Sequence, residues 1–84
     1  MFRAKVYVTL KEGVLDPQGE AVGKALGNLG YDGVERVRIG KLVEVELEAA
    51  DLATARTLVS DMSRRLLANP VLEEFRFDLE EVSR

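Results

Sequence analysis

Apolar and polar residues alternate strictly at the start of the chain. The apolar positions are Phe2, Ala4, Val6, Val8 and Leu10. Such alternation predicts a β-strand with one buried face. The same two-residue period recurs in residues 36–39, 43–48 and 75–80. The sequence therefore predicts four strands.

Two segments with helical spacing separate these strands. Asp16 and Pro17 predict the first helix start, because aspartate caps free N–H groups and proline fits the first helical position. Gly30 predicts its end, since glycine readily adopts the left-handed conformation after a helix. Asp51 predicts the cap of a second helix that runs to about Ala68. Its predicted apolar face carries Leu52, Ala55, Leu58, Val59, Met62 and Leu66.

The order of charges predicts how the second and third strands join. A three-residue loop of residues 40–42 would place Ile39 opposite Val43 and Arg38 opposite Glu44. A two-residue loop would put an apolar and a charged residue on the same face. We therefore expect the longer loop, which keeps each face of one character.

The element order is then βαββαβ, which belongs to the α+β class. We expect a two-layer sandwich, in which a four-stranded antiparallel sheet carries two helices on one face. No linker or low-complexity tract interrupts the pattern, so residues 1–84 are expected to form a single domain.

The amino-acid composition limits the kinds of catalytic and metal sites that the chain could contain. The 84 residues include no cysteine and no histidine, and the formal net charge is -3. Thiolate nucleophiles, imidazole bases and their metal sites are therefore excluded, although a carboxylate-only metal site stays open. The charge argues against nucleic-acid binding, no apolar run is long enough for a membrane span, and a cytoplasmic location is expected.

Three glycines follow one another at helical spacing in the first predicted helix. Gly19, Gly23 and Gly27 lie four residues apart and form one stripe. Glycine costs about 1 kcal/mol relative to alanine inside a helix, so three of them indicate a close contact. That contact is either with the sheet or helix of the same chain, or with another subunit.

The polar loops offer candidate contact residues. Lys41 follows Gly40 and lies near Arg38, so this predicted loop could touch an acidic partner or a phosphate. An ordinary glycine turn with a solvated lysine is the alternative. Lys11 and Glu12, in the loop before the first helix, present the same choice.

Longer strings resemble the PurS family. They are Val-Tyr-Val-Thr-Leu-Lys-Glu-Gly-Val-Leu-Asp-Pro-Gln-Gly at 6–19, Leu-Gly-Tyr at 29–31, Val-Arg-Ile-Gly-Lys at 37–41 and Leu-Leu-Ala-Asn-Pro-Val-Leu-Glu at 66–73. They span nearly the whole chain in the expected order. Two departures are mild: Ser63 stands where many relatives have cysteine, and Phe75 where tyrosine is common.

The resemblance implies a non-catalytic subunit of phosphoribosylformylglycinamidine synthase, a ligase of de novo purine biosynthesis. Such a subunit bridges a glutaminase (PurQ) and an ATP-dependent synthetase (PurL), supports ammonia transfer, and self-associates as a dimer or tetramer. It binds no cofactor itself, whereas the complex uses ATP, Mg and glutamine.

The resemblance carries over no catalytic and no metal-binding residue. It implies partner contacts, which we assign to signature residues in loops: Lys11, Arg38, Gly40, Lys41 and Asn69. The alternative function is a stand-alone regulatory module that binds a small ligand, since ACT-like modules share the element order βαββαβ.

Overall fold

The structure of the chain is a computed structural model that describes residues 1–83. The elements in chain order are β1 (Phe2–Leu10), α1 (Pro17–Asn28), β2 (Lys41–Leu47), α2 (Leu52–Met62), a π-helical turn (Ser63–Leu67) and β3 (Glu73–Glu81). The α+β class is confirmed. No helix of the described part is long and apolar enough to cross a bilayer.

Strand β1 is the centre of the sheet, whose order is β2-β1-β3 with both pairs antiparallel. Val6, for example, lies opposite Val43 on one side and Phe77 on the other. The apolar residues Phe2, Ala4, Val6 and Val8 of β1 are at most 4% exposed. The predicted alternation is therefore correct, and this strand supplies most of the core.

The prediction of a four-stranded sheet is wrong. Within the described residues the sheet has three strands, and residues 34–40 form none of them. Lys41 pairs with Val8, and the same register would place Ile39 opposite Leu10, so the chain before Ile39 runs past the last residue of β1. The predicted hairpin between residues 36–39 and 43–48 is also wrong, because Glu44 pairs with Lys5 and not with Arg38.

Helix α2 covers the inner face of the sheet over β1 and β3. Asp51 caps it, as predicted, by accepting a hydrogen bond from the Thr54 N–H at 2.8 Å. The π-helical turn that follows shifts the helical phase, which the sequence did not predict. Leu66 is consequently 83% exposed, whereas Leu67 packs against the core.

Helix α1 has the predicted ends. Asp16 caps its start, Pro17 occupies the first turn, and Gly30 has a φ of 101°. The Tyr31 N–H donates to the Leu26 carbonyl at 3.1 Å, a bond typical of a glycine-terminated helix.

The partner of α1 is not the sheet but the segment before β2. A side chain at Gly19 would collide with the Val37 carbonyl, and one at Gly23 would contact the Val37 side chain at 3.7 Å. The prediction of a second helix beside α2 on the sheet is therefore wrong. The radius of gyration is 16.3 Å, against about 12 Å for a compact chain of this length, since α1 and residues 34–39 extend from the sheet as an arm.

Gly40 is expected to be intolerant of a side chain. A Cβ there would collide with the Val8 carbonyl, so Gly40→Ala should lower the free energy of unfolding by about 1–3 kcal/mol. Gly27 is the matched control, because a Cβ at that position would have no neighbour within 4 Å. Gly27→Ala should stabilise the chain by up to about 1 kcal/mol. Urea unfolding measures both, and equal effects would contradict the close approach at Gly40.

Candidate functional site

The five predicted contact residues gather at one end of the sheet. Leu10 ends β1 beside Glu73, where β3 begins, and Lys41 starts β2 opposite Val8. The loops that carry the five candidates, Lys11, Arg38, Gly40, Lys41 and Asn69, all adjoin this end. We call it the loop end of the sheet.

Lys11 and Asn69 meet at a single turn. The Lys11 ammonium donates to the Pro70 carbonyl at 2.7 Å. The Asn69 side-chain oxygen accepts from the Val71 N–H at 3.0 Å, and its carbonyl accepts from the Glu73 N–H at 2.7 Å. Both residues therefore hold the turn in shape. Val71 is 75% exposed on this ordered turn.

Arg38 lies between two carboxylates from different parts of the chain. Its Nη1 is 4.0 Å from a Glu12 oxygen, and its Nη2 is 4.0 Å from a Glu74 oxygen. Glu12 also accepts two hydrogen bonds of 3.1 Å from Arg36. The buried Arg38 Nη2 has no hydrogen-bond partner among the described residues, although buried donors are normally satisfied.

A shallow groove opens beside Arg38 on the outer face of the sheet. Its volume is about 680 Å³, and its lining includes Tyr7, Gly40 and Arg76. The Arg76 guanidinium lies 4.1 Å from the centre of the Tyr7 ring, a cation–π contact. Lys41 is exposed at the rim as the first residue of β2, not at the tip of a hairpin as predicted.

Asp16 has a second role that the sequence did not reveal. One carboxylate oxygen accepts the Gly19 N–H, and the other accepts the Ile39 N–H, each at 2.9 Å. The two bonds join the start of α1 to the segment that leads into β2. Donation from Ile39 and Gly19, with Arg38 nearby, holds the pKa of Asp16 below its usual value. Only the first bond had a sequence signal, the N-cap position.

The three glycines of α1 do not share one environment. Gly19 and Gly23 rest on Val37, whereas Gly27 has no neighbour within 4 Å of a Cβ position. The apolar stripe beside the glycines is open to solvent: Val22 is 39% exposed, and Leu29, at the end of the helix, is 74% exposed. Gly19 and Gly23 thus pack within the chain, whereas Val22 and Leu29 stay exposed among the described residues.

Residues 1–83 contain no group of three or more histidine, cysteine, aspartate or glutamate side chains arranged to hold a metal ion. On the outer face, Arg3 donates to Glu46 at 3.0 Å and to Glu80 at 3.3 Å. Such exposed ion pairs contribute little to stability.

Comparison with known families gives these surfaces a context. Residues 3–81 match the family model described as PurS, phosphoribosylformylglycinamidine (FGAM) synthase. The chain belongs to the PurS family. PurS is a subunit of FGAM synthase, a ligase complex of purine biosynthesis. This assignment replaces the alternative of an ACT-like regulatory module, whose fourth strand is also missing from the described residues.

Individual PurS proteins resemble the chain over nearly its full length. The PurS subunit of Bacillus subtilis is 50% identical over 82 residues, which cover 98% of this chain and 96% of that protein. The crystal structure of Methanocaldococcus jannaschii PurS superposes with a TM-score of 0.88 at 32% identity, covering 99% and 100% of the two chains. A chain of the PurLQS structure from Thermotoga maritima gives 0.86 at 30% identity, covering 94% and 96%.

Acid should weaken the link made by Asp16. Because its folded pKa lies below the unfolded value, its contribution is fully present above the unfolded pKa, about 4, and is lost as the pH falls through the folded pKa. Asp51, whose pKa is lowered by the Thr54 N–H, acts with the same sign. Asp16→Asn should therefore flatten the fall of unfolding free energy below about pH 5.

Urea unfolding at a series of pH values measures this dependence. Asp32→Asn, an exposed substitution in the turn after α1, is the matched control for the removal of one carboxylate. An Asp16→Asn slope equal to that of the wild type would show that the Asp16 carboxylate does not link α1 to Ile39.

Proposed function

We propose that this chain is the non-catalytic bridging subunit of its FGAM synthase, joining the glutaminase subunit (PurQ) to the synthetase subunit (PurL) and supporting ammonia transfer between them. The observation that carries the proposal is the similarity to a chain of the PurLQS complex of Thermotoga maritima, with a TM-score of 0.86 over 94% of this chain. That similarity extends to the whole domain, not to a local motif.

The residue inventory supports a bridging role over a catalytic one. Without cysteine or histidine, the chain lacks the usual nucleophile and base of glutamine hydrolysis. We therefore assign the ATP, Mg and glutamine used by the complex to the other subunits. The lack of cysteine also agrees with a reducing compartment, and we place the complex in the cytoplasm.

The loop end is the surface that we assign to partner contact. Lys11 and Asn69 hold a turn on which Val71 is exposed, and Lys41 is exposed at the groove beside Arg38. An ordered turn loses little conformational entropy on binding, which favours its use as a docking surface. Gly40 contributes indirectly, because it allows β2 to begin close to β1.

We also propose that the chain self-associates, as a dimer or tetramer. The extended arm leaves apolar side chains without cover, including Leu15 at 68% and Leu29 at 74% exposure. A chain below about 80–90 residues has little core to spare. Association that buries these side chains would supply stability that the single chain lacks.

Reconstitution tests the bridging role. The chain is mixed with the synthetase and glutaminase subunits, and product formation is followed with glutamine or with ammonia as nitrogen source. We expect the glutamine-dependent rate to require this chain, because ammonia must pass between two sites. The ammonia-dependent rate should not require it. If omission of the chain changes neither rate, the bridging role is wrong.

Charge reversal at Lys41 tests the loop end. Lys41→Glu should weaken binding to a partner subunit by about tenfold or more, the effect of losing one charge-assisted contact. The free energy of unfolding should not change, since Lys41 is exposed. Arg56→Glu, on an exposed position of α2, is the control. Calorimetric titration that finds equal affinities for both variants and wild type would remove Lys41 from the contact.

A further inference from the structure

The outer face of the sheet carries rows of charge, and one row breaks the pattern. In two rows a cation of β1 lies between carboxylates of β2 and β3: Glu46, Arg3 and Glu80, then Glu44, Lys5 and Asp78. The next row consists of Leu42, Tyr7 and Arg76 and contains no carboxylate. This row lines the groove beside Arg38.

Two arginines that line this groove have donors to spare. Arg76 lies on the Tyr7 ring and makes no ion pair with any of residues 1–83. The buried Nη2 of Arg38 has no hydrogen-bond partner among the same residues. Its nearest carboxylate oxygen, from Glu74, is 4.0 Å away, beyond the usual hydrogen-bond length of about 2.7–3.2 Å. Buried donors normally find an acceptor, so the groove lacks one.

The groove is positive on a chain that is negative overall. Its charged lining residues are three cations and one carboxylate: Arg38, Lys41, Arg76 and Glu74. Their balance is +2, and Glu12, which lies near Arg38, reduces it only to +1. The whole chain has a formal net charge of -3. The groove therefore favours an anionic group, and the planar guanidinium favours an oxyanion such as a carboxylate.

The shape of the groove favours a protein segment over a small molecule. Arg76 and Gly40 are exposed, and Leu42 is 51% exposed, so the groove is open along the sheet. Small ligands bind in concave pockets that enclose most of their surface. An open groove that combines two arginines with an exposed leucine instead matches a segment with an acidic and an apolar side chain.

We infer that this groove receives an acidic segment of another subunit of the ligase. A carboxylate of that segment accepts hydrogen bonds from Arg38 and Arg76, and an apolar neighbour packs on Leu42. The contact would give the Arg38 Nη2 the acceptor that its own chain does not supply. The inference rests on the proposed bridging role and names the chemistry of one of its contacts.

Removal of one guanidinium tests this contact. Arg76→Gln should weaken binding to the synthetase or the glutaminase subunit by about tenfold or more, because a charge-assisted hydrogen bond is lost. The difference from wild type should shrink at high salt, which screens exposed charges. Arg65→Gln is the matched control, since it removes the same charge at an exposed position of the π-helical turn. It should bind both subunits like the wild type.

Calorimetric titration with each partner subunit, at low and at high salt, measures these affinities. An equal loss for Arg76→Gln and Arg65→Gln would reflect total charge alone and would overturn the contact. Unchanged affinity of Arg76→Gln for both subunits would also overturn it. In that case a lower urea midpoint of Arg76→Gln would limit Arg76 to stabilising the sheet through Tyr7.

A free anion is the other possible occupant, and sodium phosphate is the probe for it. A ligand that binds only the folded chain raises its melting temperature. If phosphate stabilises the wild type more than Arg76→Gln at equal ionic strength, and the variant keeps its affinity for both subunits, the groove holds a free anion. That result overturns the contact with a partner segment.

Failure of this contact can be distinguished from failure of the bridging role. If the wild-type chain binds neither subunit and its omission leaves the glutamine-dependent rate unchanged, both the bridging role and the contact are wrong. If the wild type binds and supports that rate while Arg76→Gln binds equally well, only the groove contact is wrong.

Discussion

The pairing of β1 with a strand on each side is the constraint on which the rest of the structure depends. Its inner residues are among the most deeply buried in the chain, and both neighbours take their register from it. Because β1 ends at Leu10, a segment that continues beyond that residue has no strand to pair with. Residues 34–38 are such a segment. Val37 contacts α1 instead, and the neighbouring Ile39 donates to Asp16.

This constraint divides the chain into a sheet with α2 and an arm with α1. The sheet and α2 contain the buried core, whereas the arm buries Gly19 and leaves apolar side chains such as Leu29 exposed. A free chain gains nothing from exposed leucine and valine side chains. An arm of this kind suits a protein that binds other subunits, and PurS proteins are subunits of a larger ligase.

Charged and polar side chains at the loop end stabilise its structure before any contact is made. Lys11 and Asn69 close one turn, Asp16 joins two segments, and Arg38 lies between Glu12 and Glu74. Signature residues of the family therefore shape the surface, and side chains such as Val71 and Lys41 occupy it.

The sequence by itself determined the features that depend only on residues close together along the chain. The alternation of apolar and polar residues predicted β1, β2 and β3. The helix ends were predicted by Asp16, Gly30 and Asp51, because strand faces and helix caps depend on short-range interactions. It also determined the chemistry, since a chain without cysteine and histidine lacks those nucleophiles and bases.

Only the tertiary structure decided which strand pairs with which, and therefore where α1 lies. Val37 and Ile39 alternate like a strand, but the register that pairs Lys41 with Val8 carries this segment to the end of β1 and beyond it, where the sheet offers no neighbour. The exposure of Leu66 could not be predicted either, because a π-helical turn rotates the following residues about the helix axis and has no local sequence signal. Likewise, the second hydrogen bond of Asp16 joins positions 23 residues apart, a separation that no local pattern records.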